Sequence, residues 1–285
     1  MSRALPLLYV HATAVWTTQQ THPQQAHPQH AHAHAQQPPA AELLPTRARG
    51  RASLLTRMIA EVVAVVAKQG LRGDPHAQLS SNLQSTPLLV GSTLGEIDTT
   101  VQLLRMMNEG DGALSPARFQ ASVHNSAAGQ LSIATGNQGF SSCLAAGPGT
   151  AAALLIDAYA WLAHAGGSVI VVMADESIPE MLAQTPSFGA AACALLLSCE
   201  REAESLASIS VPVHLAPADA RAGELTPPSP DALSQRIGPS PVAHLLRVVE
   251  AAIDAQLTGT GALVELPSGP TPSRAWRVQV KAIEA

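Results

Sequence analysis

Residues 139–174 read GFSSCLAAGPGTAAALLIDAYAWLAHAGGSVIVVMA. A short strand candidate opens the stretch at 139–146. A helix follows from about Pro148 to Ala163, with Leu155, Ala158 and Leu162 on one side. The stretch ends at 168–174 in a near-continuous apolar run, the pattern of a strand buried on both faces. Strand, helix and strand in this order predict a βαβ unit with a right-handed crossover, and so an α/β fold with parallel strands.

The flanking segments extend the same pattern. Pro87–Val90 reads as a buried strand running into Gly91-Ser-Thr-Leu-Gly95, and Thr93 and Glu96 have the spacing of a capping box. Leu94, Ile97, Val101 and Leu104 continue one helical face. Residues 51–69 carry an apolar stripe (Leu54, Leu55, Met58, Ile59, Val62, Val63, Val66), with Gly70 at the C′ position of the helix. Residues 5–16 alternate loosely and predict a first strand rather than a signal peptide. Ser115-Pro116 opens another helix, and Ala127, Ala128 and Gly129 would let a helix approach a neighbouring backbone closely. Residues 190–199 form a further apolar strand. The Pro-rich stretch 211–241 is linker-like. Ser240-Pro241 opens a helix to about Leu257, and strands are expected at 261–266 and 275–281.

Composition bounds what such a chain can do. Hydrophobic residues make up 46% of the 285 residues and charged residues 13%, enough apolar sequence for a sizeable core. Aromatics are only 3%, so that core must be built from Ala, Val, Leu and Ile. The net charge of −5 leaves no electrostatic footprint for nucleic acid. Arg47, Arg49, Arg51 and Arg57 read as a solvated helix entrance. No apolar run approaches the ~18 residues of a membrane span. Cys143, Cys193 and Cys199 make no disulfide framework and fit a reducing, cytoplasmic compartment. Residues 17–41 are rich in Gln, His, Pro and Ala. Their histidines (His22, His27, His30, His32, His34) match no fixed tetrahedral spacing, so the tract is expected to be an unstructured insertion, with no metal.

The stretch from about 87 to 199 resembles the N-terminal half of beta-ketoacyl synthases, of the thiolase fold. The resemblance rests on Gly91-Ser-Thr-Leu-Gly95, Leu114-Ser-Pro-Ala-Arg-Phe119, Asn125-Ser-Ala-Ala-Gly129, Leu131-Ser-Ile133, Gly136, Gly139, Val169–Ala174 and Asp175-Glu176, in order and spacing over about 110 residues. It is closer still to the chain-length-factor-type subunits of bacterial aryl polyene clusters. In those, too, a first strand and a Leu-Pro-x-Arg-x-Arg-type segment (here 44–51) precede the core. The resemblance implies an α/β, thiolase-like fold, with a ketosynthase-like domain at 1–205 and a reduced C-terminal portion at 206–285.

The resemblance also shows what is missing. Ketosynthases place a cysteine nucleophile at a strand-to-helix turn, where a helix N-terminus lowers its pKa and a backbone N–H stabilises the oxyanion. Aligning the helix at Thr150–Leu162 puts Pro148 there, with Gly147 or Gly149 one residue to either side. None carries a nucleophile, and Pro148 has no N–H. Cys143, five residues earlier, lies within the strand and reads as a structural thiol, with a divergent condensing or acyl-transfer role as the alternative. His214 and His244 do not match the two histidines of the family's C-terminal half, and His124 reads as a hydrogen-bonded buried or interface residue. Gly139-Phe-Ser-Ser-Cys143 falls short of a Gly-x-Ser-x-Gly elbow, and Gly91–Gly95 lacks the Lys of a phosphate loop. Asp175-Glu176 reads as a solvated turn.

In thiolase-fold dimers the strand leading to the nucleophile pairs across the two-fold axis. For this chain that implies an interface built from Asn125, Gly129, Gly139, Phe140, Ser141, Ser142 and Cys143. The expected function is that of a non-catalytic subunit without cofactor. It pairs with a complete ketosynthase, and through it acts on acyl chains carried by acyl carrier protein in fatty-acid-like, polyene or polyketide elongation. A homodimeric acyl-binding scaffold is the third reading.

Overall fold

A computed structural model describes residues 7–18, 38–71, 82–110, 114–182, 188–215, 232–269 and 275–283. The expected His-rich insertion lies, over 19–37, outside the described residues. The strands are β1 (Leu8–Thr17), β2 (Leu88–Gly91), β3 (Ser141–Leu144), β4 (Ser168–Asp175), β5 (Ala191–Ser198), β6 (Ala207–Ile209), β7 (Val213–Leu215), β8 (Ala262–Pro267) and β9 (Ala275–Lys281). The helices are α1 (Thr46–Arg49), α2 (Leu54–Gly70), α3 (Ile97–Glu109), α4 (Pro116–Ser122), α5 (Ser126–Thr135), α6 (Thr150–Ala165), α7 (Leu233–Arg236) and α8 (Val242–Thr258).

The strands form one mixed sheet in the order β3-β2-β4-β5-β1-β6-β9-β7, with β8 also paired to β9. Strands β2, β3 and β4 are parallel, as the βαβ pattern requires. Strand β5 is antiparallel to both β4 and β1, so β1 runs in the direction of β4. The C-terminal strands continue the same sheet: β6 joins β1, and β9 joins β6.

Side-chain alternation divides the core in two. From β4 and β5, Val169, Val171, Met173, Cys193 and Leu195 point to α6 and α8, where Leu154, Leu155, Leu162, Leu245 and Val249 meet them. Ile170, Val172, Ala174, Ala194 and Leu196 point to the opposite face, against Leu55, Met58, Ile59, Val62 and Val66 of α2. The apolar stripe expected at 51–69 is the buried face of α2.

Several local expectations are corrected. Gly70 is the last residue of α2 rather than its C′ cap. A Cβ there would lie 2.6 Å from Leu196 Cδ2 and 3.1 Å from Ala12 Cβ, so close packing against the sheet is what requires glycine. Glu96 is the N-cap of α3 without making a side-chain cap, and its carboxylate turns inward, away from Thr93. The stretch 211–241 is not wholly linker, for it contains β7 and α7. Gly129 makes no close approach, since nothing lies within 4 Å of a Cβ built on it. Two of the arginines expected to be solvated are tied to backbone: Arg49 donates to Leu44 O at 3.0 Å and Arg57 to Pro39 O at 3.1 Å.

Gly91 fixes how α6 crosses the sheet. A Cβ at that position would sit 2.5 Å from Leu154 Cδ1 and 2.8 Å from Thr150 Cγ2. Overfilling a close-packed core of this kind costs about 1–3 kcal/mol. Gly91→Ala is therefore expected to lower the urea unfolding midpoint without changing its slope, and an unchanged midpoint would show that α6 is free to shift.

Candidate functional site

Strand β3 ends the sheet. Leu88 N donates to Phe140 O at 2.9 Å and Ser92 N to Leu144 O at 3.1 Å, in parallel register with β2. Because backbone direction alternates along a strand, the N–H and C=O of Ser141 and Cys143 point away from β2. No strand pairs with that outer edge among the described residues. Phe140, just before β3, is 39% exposed and stacks on Trp161 of α6, with ring centroids 4.2 Å apart. Ile133, on α5, is 86% exposed, and Gly129, one turn earlier, is exposed as well. An open strand edge with an exposed aromatic ring at its start is the kind of surface that proteins ordinarily cover.

Of the residues expected at an interface, Asn125, Gly129, Phe140 and Ser141 are exposed, and Gly139, Ser142 and Cys143 are half-buried. Gly139 has an internal reason to be glycine, since a Cβ there would lie 2.7 Å from Ser85 O. Asn137 holds the same corner, donating to Thr86 O and accepting from Gly139 N.

The connection from β3 to α6 is one 3-10 turn, Gly147–Gly149, running directly into Thr150. Gly147 has φ +54°, in the left-handed region. Its carbonyl accepts from Thr150 Oγ1 at 2.7 Å and Thr93 Oγ1 at 3.4 Å, while Thr150 Oγ1 accepts from Ala146 N at 3.0 Å. Gly149 is buried, and a Cβ there would lie 3.1 Å from Ser268 O, beyond the end of β8. The turn thus carries no nucleophilic side chain, its proline lacks an N–H, and backbone from the C-terminal portion lies over it.

Cys143 is turned away from this turn. It packs into the core on the α2 face, whereas Leu144 packs on the α6 face. The N-terminus of α6 therefore gives its thiol no help, and burial raises its pKa above the ordinary value. Cys193 is fully buried in β5, and burial raises its thiol strongly. His124 behaves as expected, with Nε2 bonded to Ser92 O at 2.9 Å. His214, on β7, makes an edge contact with Trp276, and burial in α8 lowers His244 to about 4.

Asp175 and Glu176 are not a solvated pair. Both are buried, with Asp175 Oδ1 accepting from Ser92 Oγ at 2.7 Å, Thr93 N at 2.8 Å and Leu94 N at 3.1 Å. Glu176 accepts from Leu55 N at 3.0 Å. Sequence reasoning also passed over His11, at a β-bulge in β1. Its Nε2 lies 2.7 Å from Ser198 Oγ, its Nδ1 3.3 Å from Ser205 Oγ and 3.9 Å from Glu202. This Ser-His-Glu array is structural. Ser198 is buried, and its hydroxyl already donates to Glu200 O.

The fold is that of the N-terminal half of thiolase-like ketosynthases. The chain belongs to the beta-ketoacyl synthase N-terminal domain family, whose model matches residues 16–237. No curated protein matches. Among solved structures it is similar to a chain of the ketosynthase (ApeO) in complex with its chain length factor (ApeC) from Xenorhabdus doucetiae. That match has TM-score 0.61 and 17% identity, covering 95% of this chain and 98% of that one. A chain of the ishigamide ketosynthase/chain length factor matches with TM-score 0.59 and 15% identity, over 84% of this chain and 83% of that one. A third similar chain, at TM-score 0.61 and 8% identity, covering 98% of this chain and 100% of that one, is from the AntDE:AntF complex of a type II polyketide synthase acyl-carrier protein with its ketosynthase. Among the described residues no helix is long and apolar enough to cross a membrane.

With its thiol raised by burial, Cys143 is expected to react with iodoacetamide at pH 7.5 about tenfold or more slowly than free cysteine, because the thiolate is the attacking species. Cys193 is expected to stay unmodified until the chain unfolds. Peptide mass spectrometry over a time course checks both, and rapid labelling of Cys143 would reopen a catalytic reading.

Proposed function

We propose that this chain is a non-catalytic, chain-length-factor-type subunit that pairs with a complete beta-ketoacyl-acyl-carrier-protein synthase in fatty-acid-like, polyene or polyketide elongation. The observation that carries the reading is the open edge of β3, with the outward backbone groups of Ser141 and Cys143 next to the exposed ring of Phe140. A partner strand laid along that edge satisfies those groups and packs beside Phe140. The family relationship supplies the kind of partner.

Pro148 stands at the nucleophile position in this reading. Acyl transfer there would need a thiolate and, at the same residue, a backbone N–H for the oxyanion, and Pro148 has neither. The chemistry belongs to the partner, which also receives the acyl carrier protein. This chain completes the partner's fold and helps shape the space for the growing acyl chain. The aryl polyene type of elongation fits the similarity to a chain of the ApeO–ApeC complex, and the reading places the protein in the cytoplasm.

Co-expression with a complete ketosynthase from the same source tests this. The two are expected to co-elute at one-to-one on size exclusion, and elongation of malonyl-charged carrier protein is expected only when both are present. Cys143→Ala should retain activity in the complex. Ser141→Pro removes an outward N–H without touching the ladder to β2, so it should abolish co-elution while this chain stays folded. A stable homodimer that binds acyl chains alone would favour the scaffold reading, and turnover lost with Cys143→Ala would favour the enzyme.

A further inference from the structure

Helices α3 and α4 are held to the body by little apolar burial. In α3 only Val101 and Leu103 are buried, and in α4 no residue is. Elements of this kind open locally at low cost, so contacts at their surface weigh more than they would in the core.

Two such contacts each set an arginine on a methionine sulfur. Arg105 Nη2 of α3 donates at 3.5 Å to Sδ of Met181, in the 3-10 turn Glu180–Leu182. Arg118 Nη1 of α4 donates at 3.5 Å to Sδ of Met106, in α3. A guanidinium is a strong cationic donor and a thioether a weak acceptor, so each contact gives a good donor a poor partner. Neither arginine forms an ion pair among the described residues. Met181 is 59% exposed and Met106 half-buried. Met107 is 61% exposed and has no donor on its sulfur among the described residues. Met58 and Met173 lie in the core at 0%.

We propose that Met106 and Met181 are an oxidation site, at which hydrogen peroxide or another hydroperoxide makes sulfoxides that Arg118 and Arg105 then hold. The sulfur lone pair attacks one peroxide oxygen, so that an S–O bond forms and the O–O bond breaks. The sulfur gives up two electrons. The departing hydroxide takes the proton of the transferred oxygen and leaves as water. A sulfoxide oxygen accepts far better than a thioether sulfur, and each arginine gains a charge-assisted hydrogen bond. Methionine oxidation disrupts a core because it puts a polar group among apolar ones. Here both sulfurs already face cations, so oxidation tightens α3 against the 180–182 turn and against α4.

Peptide mass spectrometry of the full chain over a peroxide time course is the first test. Met107 and Met181 are expected to oxidise first, Met106 more slowly, and Met58 and Met173 not before unfolding. Hydrogen–deuterium exchange then reads the consequence, in a Met107→Leu background that removes the uncoupled sulfur. Oxidation is expected to raise the protection of peptides spanning 97–109 and 176–182 about threefold or more. In Arg105→Gln the gain over 176–182 should vanish although Met181 still oxidises. Met181→Gln, whose amide carbonyl accepts as a sulfoxide does, should reproduce that gain without peroxide. Protection that is unchanged or lower after oxidation overturns the proposal. So does an equal gain in Arg105→Gln, or a Met181 that stays reduced while Met107 oxidises.

Discussion

Strand β4 holds the molecule together because it has water on neither side. From Val169 to Glu176 every residue is buried, between β2 on one edge and β5 on the other. Its odd-numbered side chains serve the core under α6 and α8, and its even-numbered ones the core under α2. Both helical layers therefore take their positions from one strand, and its pleat sets their register. The scarcity of aromatics suits this arrangement. Ala, Val and Leu let α6 come close enough to the sheet that Gly91 has no room for a Cβ.

Where β4 emerges from the core, its last residue, Asp175, and the residue that follows it, Glu176, are acids that remain inside. Asp175 gathers three donors from the β2–α3 loop, and Glu176 reaches the start of α2. A hydrophobic strand thus ends in a polar knot joining three elements, at the end of the sheet where β3 turns into α6. Leaving such groups unpaired would cost more than the bonds themselves contribute, so the loop has little freedom while the knot is intact.

The turn into α6 and the outer edge of β3 lie side by side but do opposite things. The turn is closed: its carbonyl is bonded twice, and backbone from beyond β8 lies against Gly149. Among the described residues the edge is open, with backbone groups facing outward and Phe140 exposed beside them. The turn itself is built of glycine and proline, with no side chain that could act as a nucleophile.

Much of this was legible in the sequence, because the signals were local. The apolar run at 168–174, the stripe at 54–66 and the small-residue helix after Pro148 each depend on periodicity alone, and each element formed where the pattern put it. The absence of a nucleophile at 147–149 is likewise plain from residue identity. Periodicity could not reveal what depends on distant partners. Gly70 looked like a cap because it ends a helical stripe, yet Leu196 and Ala12, from two strands, decide its role. Glu96 and Asp175-Glu176 looked like a capping box and a solvated turn because short charged motifs usually face water. Their burial arises only when β4, α2 and the β2–α3 loop converge, and no spacing along the chain encodes that convergence. Strand order and the open edge of β3 were also decided in three dimensions, since hydrogen bonding between strands depends on which backbones become neighbours and not on the side chains that a sequence records.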